Sequence, residues 1–367
     1  MNQKIVYLGL FASVVLLGAG CASTESSTTN SITSTKSVSF SDTPCGDGLC
    51  DAAEQADDAL CPADCTGDVA NEDVGDQEEV ASTSGFVFIP DDGIRVENAS
   101  NSGVKKNSDG SLSLVFQNRS NDSRGRNDVG VAQASSDWLT FARIDVGVDP
   151  AQFRAVTLPD GTCRAYGLDA TKSGVLPGSS GLKSQSSKDC VTFTEDSGVR
   201  YSLTDSDNGS MGVYDLFVDS NKNIVLLYLA DLKGANNLRR AVSTDGGWTF
   251  VWQADDVLGD AALGGGGQSY VDNKVIVLAD GRELMVAMRQ GKIYTFVSED
   301  DGKTWTRNSD ELTPEEFGTE GVKGLYDPQI VQLSDGRFRI YVTGETDGTG
   351  ADDQNATQHL YSATTAL

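Results

Sequence analysis

Two aspartates, Asp272 and Asp327, best combine residue type and spacing for a chemical role in this chain. Each stands eight places before an Asp-Gly pair of the kind that forms a tight turn, Asp280-Gly281 or Asp335-Gly336. They therefore occupy equivalent places in two repeated units. Two carboxylates that face one channel can divide the acid and base roles of glycoside hydrolysis. Two plainer interpretations stay open: Asp327 caps a turn before Pro328, or the carboxylates are hydrated or hold an ion.

Matching places in the other units supply further candidates. The places equivalent to Asp272 hold Asn101, Gln152 and Val213, and Asp215 could replace Val213 through a bulge. Polar residues also stand near the ends of the second strands: Arg119, Asp169, Asp231, Arg289 and Glu345. From these two sets we predict four substrate-binding residues, namely Arg119, Gln152, Asp215 and Arg289.

Composition excludes several other chemistries. His359 is the only histidine in the sequence, which disfavours Ser-His-Asp catalysis and a histidine-rich zinc site. The four glycines from Gly264 to Gly267 are not followed by Lys-Ser/Thr, so they predict a loop and not a phosphate cradle. The net charge of −26 lacks the basic footprint that nucleic acid requires and disfavours docking on anionic lipid.

A repeated motif indicates which elements position these residues. The segments 243–250 and 298–305 both read S-x-D-x-G-x-T-aromatic, and looser copies cover 135–141 and 187–193. Their aspartates, Asp137, Asp189, Asp245 and Asp300, are separated by 52, 56 and 55 residues. A fixed period of this size is typical of a repeat architecture with one supersecondary unit per period.

Residues 86–367 align on themselves as five such units. Each unit has a short apolar strand, a tight turn, a second strand, a variable loop and a third strand that leads into the motif serine. This pattern predicts an all-β fold, a five-bladed β-propeller of four-stranded antiparallel blades. The fifth unit lacks a fourth strand, and we expect 86–90 to supply it. Loops at 169–186, 230–238 and 343–358 should then collect at one channel mouth, the place to seek function.

The motif resembles the Asp-box of sialidase-type propellers. That resemblance implies a structural role, tying a hairpin and packing an aromatic between blades, for Ser243, Asp245, Gly247, Phe250, Ser298, Asp300, Gly302 and Trp305. The segments Tyr326-Asp327-Pro328 and 187–194 also resemble five-bladed arabinanase- and invertase-like propellers. That resemblance implies catalysis by two aspartates and a glutamate, here Asp272, Asp327 and either Glu345 or Glu320. The usual aspartate early in the first blade is missing, and the arginine triad of sialidases is not found in a signature.

The first residues predict export. Lys4 and an apolar run up to Leu17 fit a signal peptide over residues 1–20. The following Cys21 resembles the lipidated cysteine of a bacterial lipobox, although Gly18 stands where leucine is usual. An ordinary signal peptide is the alternative. Lipidation would make this a lipoprotein of the bacterial cell membrane or outer membrane, with the lipid as its sole membrane contact. Residues 21–44 would form a Ser/Thr-rich tether, and the propeller would lie in the periplasm or outside the cell.

Cysteine usage agrees with export, because one lipid anchor and three disulfides account for seven cysteines. We predict a small disulfide-held module at 45–65 from Cys45, Cys50, Cys61 and Cys65, followed by an acidic linker at 66–85. Asp47, Asp51 and Asp64 in this module are candidate calcium ligands, with plain solvated carboxylates as the alternative. No other cofactor is predicted. Cys163 and Cys190 should meet at one end of the second blade, where a disulfide is plausible.

Together these features predict a surface-tethered propeller whose channel mouth binds an extracellular glycan, with hydrolysis left open. The alternative from a different class is a non-catalytic scaffold that binds proteins in the cell envelope. The sequence does not name the sugar.

Overall fold

The computed structural model describes residues 85–107, 109–119, 129–134, 136–144, 149–168, 181–231, 237–258, 269–346 and 357–366. The predicted signal peptide, Cys21, the tether, the 45–65 cysteine module with its candidate calcium ligands, the 66–84 part of the linker and Asp169 lie outside these residues. No helix among the described residues is long and apolar enough to cross a membrane.

The described chain folds into antiparallel sheets in a propeller-like, all-β arrangement, as the sequence predicted. The first sheet comprises β2 (Ala99–Lys106), β3 (Leu112–Asn118), β4 (Val129–Ala134) and β5 (Phe141–Arg143). The second comprises β6 (Ala155–Thr157), β7 (Cys163–Leu168), β8 (Gly181–Ser187), β9 (Thr194–Glu195) and β10 (Tyr201–Ser202). The third comprises β11 (Met211–Val218), β12 (Ile224–Ala230), β13 (Asn237–Ser243) and β14 (Val251–Ala254).

The remaining strands form two further sheets. The fourth comprises β15 (Val271–Val277), β16 (Glu283–Arg289), β17 (Lys292–Ser298) and β18 (Thr306–Leu312). The fifth comprises β19 (Gly324–Gln332), β20 (Phe338–Glu345), β21 (Gln358–Thr365) and, as its outer strand, β1 (Phe88–Pro90). Short 3-10 helices cover Pro150–Arg154, Asp205–Asp207 and Pro314–Glu320.

Residues 86–90 were expected to supply the missing outer strand of the fifth unit, and β1 does so. β1 pairs antiparallel with β21, so that Phe88 lies opposite Thr365 and Pro90 opposite Ala363. Asp91, just after β1, accepts hydrogen bonds from Ser362 Oγ at 2.6 Å and Thr364 Oγ1 at 2.9 Å. The motif of the fifth unit lacks the aspartate, and Asp91 instead accepts the hydrogen bond of the motif serine, Ser362.

The S-x-D motifs hold the turns that follow the third strands of the sheets. Asp245 Oδ1 accepts the backbone N–H groups of Trp248 at 3.0 Å and Thr249 at 2.9 Å, while Ser243 Oγ accepts that of Gly247 at 2.8 Å. In the fourth sheet Ser298 and Asp300 bond Gly302, Lys303 and Thr304 in the same way. The motif aromatics, Phe250 and Trp305, both pack against the preceding sheet. The carboxylates thus satisfy backbone donors that the turns would otherwise expose.

The motif turns are also tied to neighbouring sheets. Arg339 of the fifth sheet donates to the carbonyl of Asp137 at 2.8 Å, and its Nε lies 3.3 Å from Asp91. Arg164 of the second sheet donates to the carbonyl of Gly246, and its Nε lies 3.7 Å from Asp196. These buried arginines form the same clamp at two junctions, fifth-to-first and second-to-third.

A second motif completes both clamps. The segments 91–95 and 196–200 each read Asp-x-Gly-aliphatic-Arg, with the glycines Gly93 and Gly198 in the left-handed region at φ 82° and 86°. The arginine of each copy, Arg95 or Arg200, donates to a carbonyl of the next motif turn, at 2.9 and 3.5 Å.

The predicted disulfide between Cys163 and Cys190 is present, with a Cα–Cα distance of 5.1 Å. It joins the start of β7 to the motif turn of the same sheet. Four apolar clusters fill the spaces between the second and third, third and fourth, fourth and fifth, and fifth and first sheets.

Candidate functional site

The first strands of the sheets line one central cavity. Its volume is about 290 Å³, and most of its lining comes from β2, β6, β11, β15 and β19, with the 3-10 helix Pro150–Arg154 and single residues of β3 and β7. Because each of these strands starts at the same end of its sheet, polar residues near their starts lie around one mouth. Asp272 on β15 and Asp327 on β19 both line this cavity, as their equivalent places predicted.

A shared backbone irregularity presents these side chains. Asn101, Asp272 and Asp327 have left-handed backbone with φ of 48°, 55° and 48°, and each lies at a break in strand register. Asparagine and aspartate tolerate this conformation better than other side-chain-bearing residues, and such bulges re-aim a side chain out of the regular alternation. The three residues therefore occupy one structural position on the fourth, fifth and first sheets.

Hydrogen bonds fix Asp327. Its Oδ2 accepts the hydroxyl proton of Thr343 at 3.2 Å, and Thr343 Oγ1 in turn accepts the backbone N–H of Asn101 at 2.9 Å. Arg119, just after β3, acts electrostatically on Asp327 and donates to Ser100 Oγ at 2.8 Å. The first sheet therefore supports a carboxylate of the fifth.

The two aspartates share an environment that disfavours charge. Burial, followed by the negative charge of Asp327, raises the pKa of Asp272 to about 8, against the opposing effect of Lys274. Burial likewise raises the pKa of Asp327, although Thr343 and Arg119 oppose it. Two interacting carboxyl groups of this kind lose their protons in separate steps. Near neutral pH the raised pKa favours the protonated form of Asp272, beside a carboxyl group whose own pKa is also raised.

The third sheet adds a charged pair to the cavity wall. Asp215 follows a register shift in β11 and lines the cavity together with Val213. Its Oδ1 lies 3.3 Å from Lys274 Nζ, and its Oδ2 accepts the backbone N–H of Val275 at 2.7 Å. This contact joins β11 to β15.

The remaining predicted residues are not part of the cavity lining. Glu345 ends β20, is 1% exposed and is absent from the cavity lining. Arg289 ends β16, with its guanidinium carbon 5.2 Å from the centre of the Tyr270 ring. Asp231 follows β12 and accepts a hydrogen bond from Asn208 at 2.9 Å. Glu320 ends the helix Pro314–Glu320.

Gln152 is not brought to the two aspartates. The first strand of the second sheet is only three residues long, and the 3-10 helix before it carries Gln152 elsewhere. Its Oε1 accepts from Lys105 Nζ at 2.5 Å, and the same Nζ donates to the carbonyl of Cys190 in a motif turn at 3.3 Å.

Sequence reasoning missed several polar residues of the lining: Ser102, Arg154, Asn273 and Lys274. Ser102 and Asn273 follow Asn101 and Asp272 directly, so the same equivalence could have found them. They are 3% and 1% exposed, and the Ser102 hydroxyl and both polar atoms of the Asn273 amide make no hydrogen bond within the described part of the chain. Among the described residues, no cluster of three acidic, histidine or cysteine side chains could hold a metal ion.

No protein-family model matches the chain, and no curated protein sequence does. Solved structures are similar in fold. The Bacteroides ovatus protein named Xyloglucan PUL GH43B has a TM-score of 0.50 and 13% identity, covering 76% of this chain and 54% of that one. The catalytic domain of the Coprinopsis cinerea GH62 alpha-L-arabinofuranosidase has a TM-score of 0.49 and 11% identity, covering 76% and 94%. The endo-arabinase from Bacteroides thetaiotaomicron has a TM-score of 0.49 and 13% identity, covering 77% and 98%. At these identities, the similarity describes the fold alone.

Proposed function

We propose that the cavity binds the end of an extracellular glycan at the mouth marked by Asp272 and Asp327. The observation that carries this proposal is the pair of interacting carboxyl groups at equivalent bulges on adjacent sheets, in one cavity. The extracellular setting comes from the predicted signal peptide and lipidated Cys21, which remain predictions. We further infer that the five sheets are the blades of a closed five-bladed propeller, because their first strands surround this cavity and β1 closes the fifth sheet.

Hydrogen-bonding capacity of the wall favours a hydroxyl-rich ligand. The buried Asn273 amide and Ser102 hydroxyl line the cavity with no hydrogen bond to other described residues. A buried polar group left in this state costs about 1–3 kcal/mol. These polar atoms have almost no solvent-accessible surface in this state. A sugar hydroxyl both donates and accepts, so a glycan could satisfy the amide and the serine together once the wall opens toward the ligand.

Hydrolysis of the bound glycan is the second candidate function. The observation that favours it is the raised pKa of Asp272, about 8, beside Asp327. Two adjacent carboxyl groups that lose their protons in separate steps pass through a state with one proton donor and one proton acceptor, the two states that acid–base glycoside cleavage uses. Glu345 as the acid stays a prediction, since its side chain is buried in this state.

A glycan array and a panel of nitrophenyl glycosides test both functions. The full-length chain, purified in a detergent without a sugar headgroup, should bind at least one glycan class, and D272N/D327N should lose that binding. Turnover by the wild type but not by the double variant supports hydrolysis. Binding that persists unchanged in the double variant contradicts the proposed site. Absence of all glycan binding, with capture of an envelope protein that the double variant also loses, would favour the scaffold alternative.

A further inference from the structure

Lys274 lies where it can control the charge of the aspartate pair. It stands two residues after Asp272 on β15, and both side chains line the cavity with Asp327. Its Nζ is 3.3 Å from Asp215 Oδ1 across the junction of the third and fourth sheets. Its side chain is 29% exposed, so it is only partly screened by solvent.

Asp215 holds this ammonium group in place. The second carboxylate oxygen of Asp215 accepts the backbone N–H of Val275, the residue next to Lys274, at 2.7 Å. Both oxygens of one carboxylate are therefore bound by neighbouring residues of β15. A lysine side chain has several rotatable bonds, and this contact removes part of that freedom.

The other cations near the cavity act on one aspartate of the pair or on neither. Arg119 acts on Asp327, and Arg154 of the cavity wall acts on Tyr214. Among the described cations that act on this pair, Lys274 lowers the pKa of both aspartates.

We propose that Lys274 is the positioning residue of the Asp272–Asp327 pair: its ammonium group, held by Asp215 in the wall of the same cavity, favours the ionised form of both carboxyl groups. This inference rests on the proposed function for its biological meaning. Without the ammonium group, both aspartates would lose a positive charge that favours their ionised form, and the pair would hold protons to higher pH. Lys274 thereby sets the pH range over which the cavity offers both a donor and an acceptor.

A titration that needs no glycan tests the inference. Full-length protein is labelled with ¹³C at the aspartate carboxyl carbons, and the two resonances are assigned with D272N and D327N. In K274M, the midpoint of the Asp272 resonance should move to higher pH by about one unit. K274R, which keeps a cation, should stay close to the wild type. K105M is the matched control, because Lys105 bonds Gln152 and lies outside the cavity lining.

Each result of the titration supports or overturns the role of Lys274. An unchanged midpoint in folded K274M overturns the proposal, and so does an equal change in K105M. K274Q serves as a second neutral variant with an amide toward Asp215 if K274M does not fold, and the same upward change is expected of it. A shifted midpoint in a protein that binds no glycan would leave the role of Lys274 standing and remove the proposed function instead.

Discussion

Aspartates at the two ends of the sheets are held in opposite ways. At the motif end, the backbone N–H groups of Thr192 and Val191 and the hydroxyl of Ser187 lower the pKa of Asp189 to about 2. At the mouth, burial and the charge of Asp327 raise the pKa of Asp272 to about 8. One residue type thus titrates in two separate pH ranges of the same molecule.

The difference separates structural from chemical carboxylates. A motif aspartate accepts fixed backbone donors, which keep it ionised near neutral pH and unavailable there as a proton donor. Asp272 has a carboxylate neighbour and a partly buried setting, which keep a proton near neutral pH. Hydrogen-bond partners therefore decide the role of an aspartate better than residue identity.

The largest effect is expected from D327N. If the pair hydrolyses a glycan, this change should lower kcat by about 10²–10⁴, since it removes one member of the acid–base pair. Stopped assays on the substrate found by the glycoside panel measure it. D189N, at the motif end, is the matched control and should keep kcat within about twofold. Equal losses of kcat in D327N and D189N would contradict the distinction between aspartates of the mouth and of the motif turns.

Next in size is the clamp at the second-to-third junction. R164M removes the bonds to the Gly246 carbonyl and Asp196, both on or near motif turns. Breaking a buried charged contact on one side costs about 3–5 kcal/mol, and the partly exposed Asp196 places the loss in unfolding free energy at about 3 kcal/mol. Urea unfolding measures it. The Asp272 carboxyl titration should not change, and a change there would show that the two ends are coupled.

N273L should separate stability from binding. Replacing a buried amide that has no hydrogen bond with an apolar group of similar size should raise the unfolding free energy by about 1–2 kcal/mol. Glycan affinity should fall about tenfold, because the ligand loses a donor and an acceptor. Urea denaturation and glycan-binding isotherms on the same preparation test both the rise in unfolding free energy and the fall in affinity. A variant that is less stable, or that binds as well as the wild type, contradicts the assigned role of Asn273.

The last expected effect is a pH dependence of stability, tested by the sign of its trend. Because the folded pKa of Asp272 is raised above its ordinary value of 3.8, its burial lowers stability progressively as pH rises from about 4 to about 8. D272N should therefore gain at least about 1 kcal/mol over the wild type between pH 4 and pH 8. Asp189 has the opposite sign: its contribution is present above pH 4 and is lost as pH falls toward about 2. Thermal melts across pH for D272N and D189N would show opposite trends, and parallel trends would contradict the contrast.

Much of the fold follows from local patterns in the sequence. The Asp-Gly turns predicted between first and second strands form at Asp109, Asp160, Asp280 and Asp335, each of which bonds the N–H two residues on. Counting back from such turns located Asp272 and Asp327, because strands of equal register place equivalent residues at one mouth. The role of β1 could also be predicted, because the fifth unit lacks a fourth strand and a strand-like segment precedes the first unit.

The same counting failed where a unit departs from the common register. Gln152 was placed by its distance from Asp160, but a 3-10 helix replaces the start of that strand. Lys274 carried no motif signal, and its importance depends on Asp215 of another sheet. The Asp-x-Gly-aliphatic-Arg repeat is visible in the letters 91–95 and 196–200, yet its partners lie in turns of other sheets.

The pairing of β1 with β21 also constrains how this molecule is made. These strands are separated by about 270 residues, so the ribosome must deliver nearly the whole domain before the two can meet. Long-range pairing of this kind slows folding, because the entropy of closing the loop opposes the contact until late. Until then the edge of β21 stays open to strands of other chains, the period in which nascent copies are most exposed to aggregation.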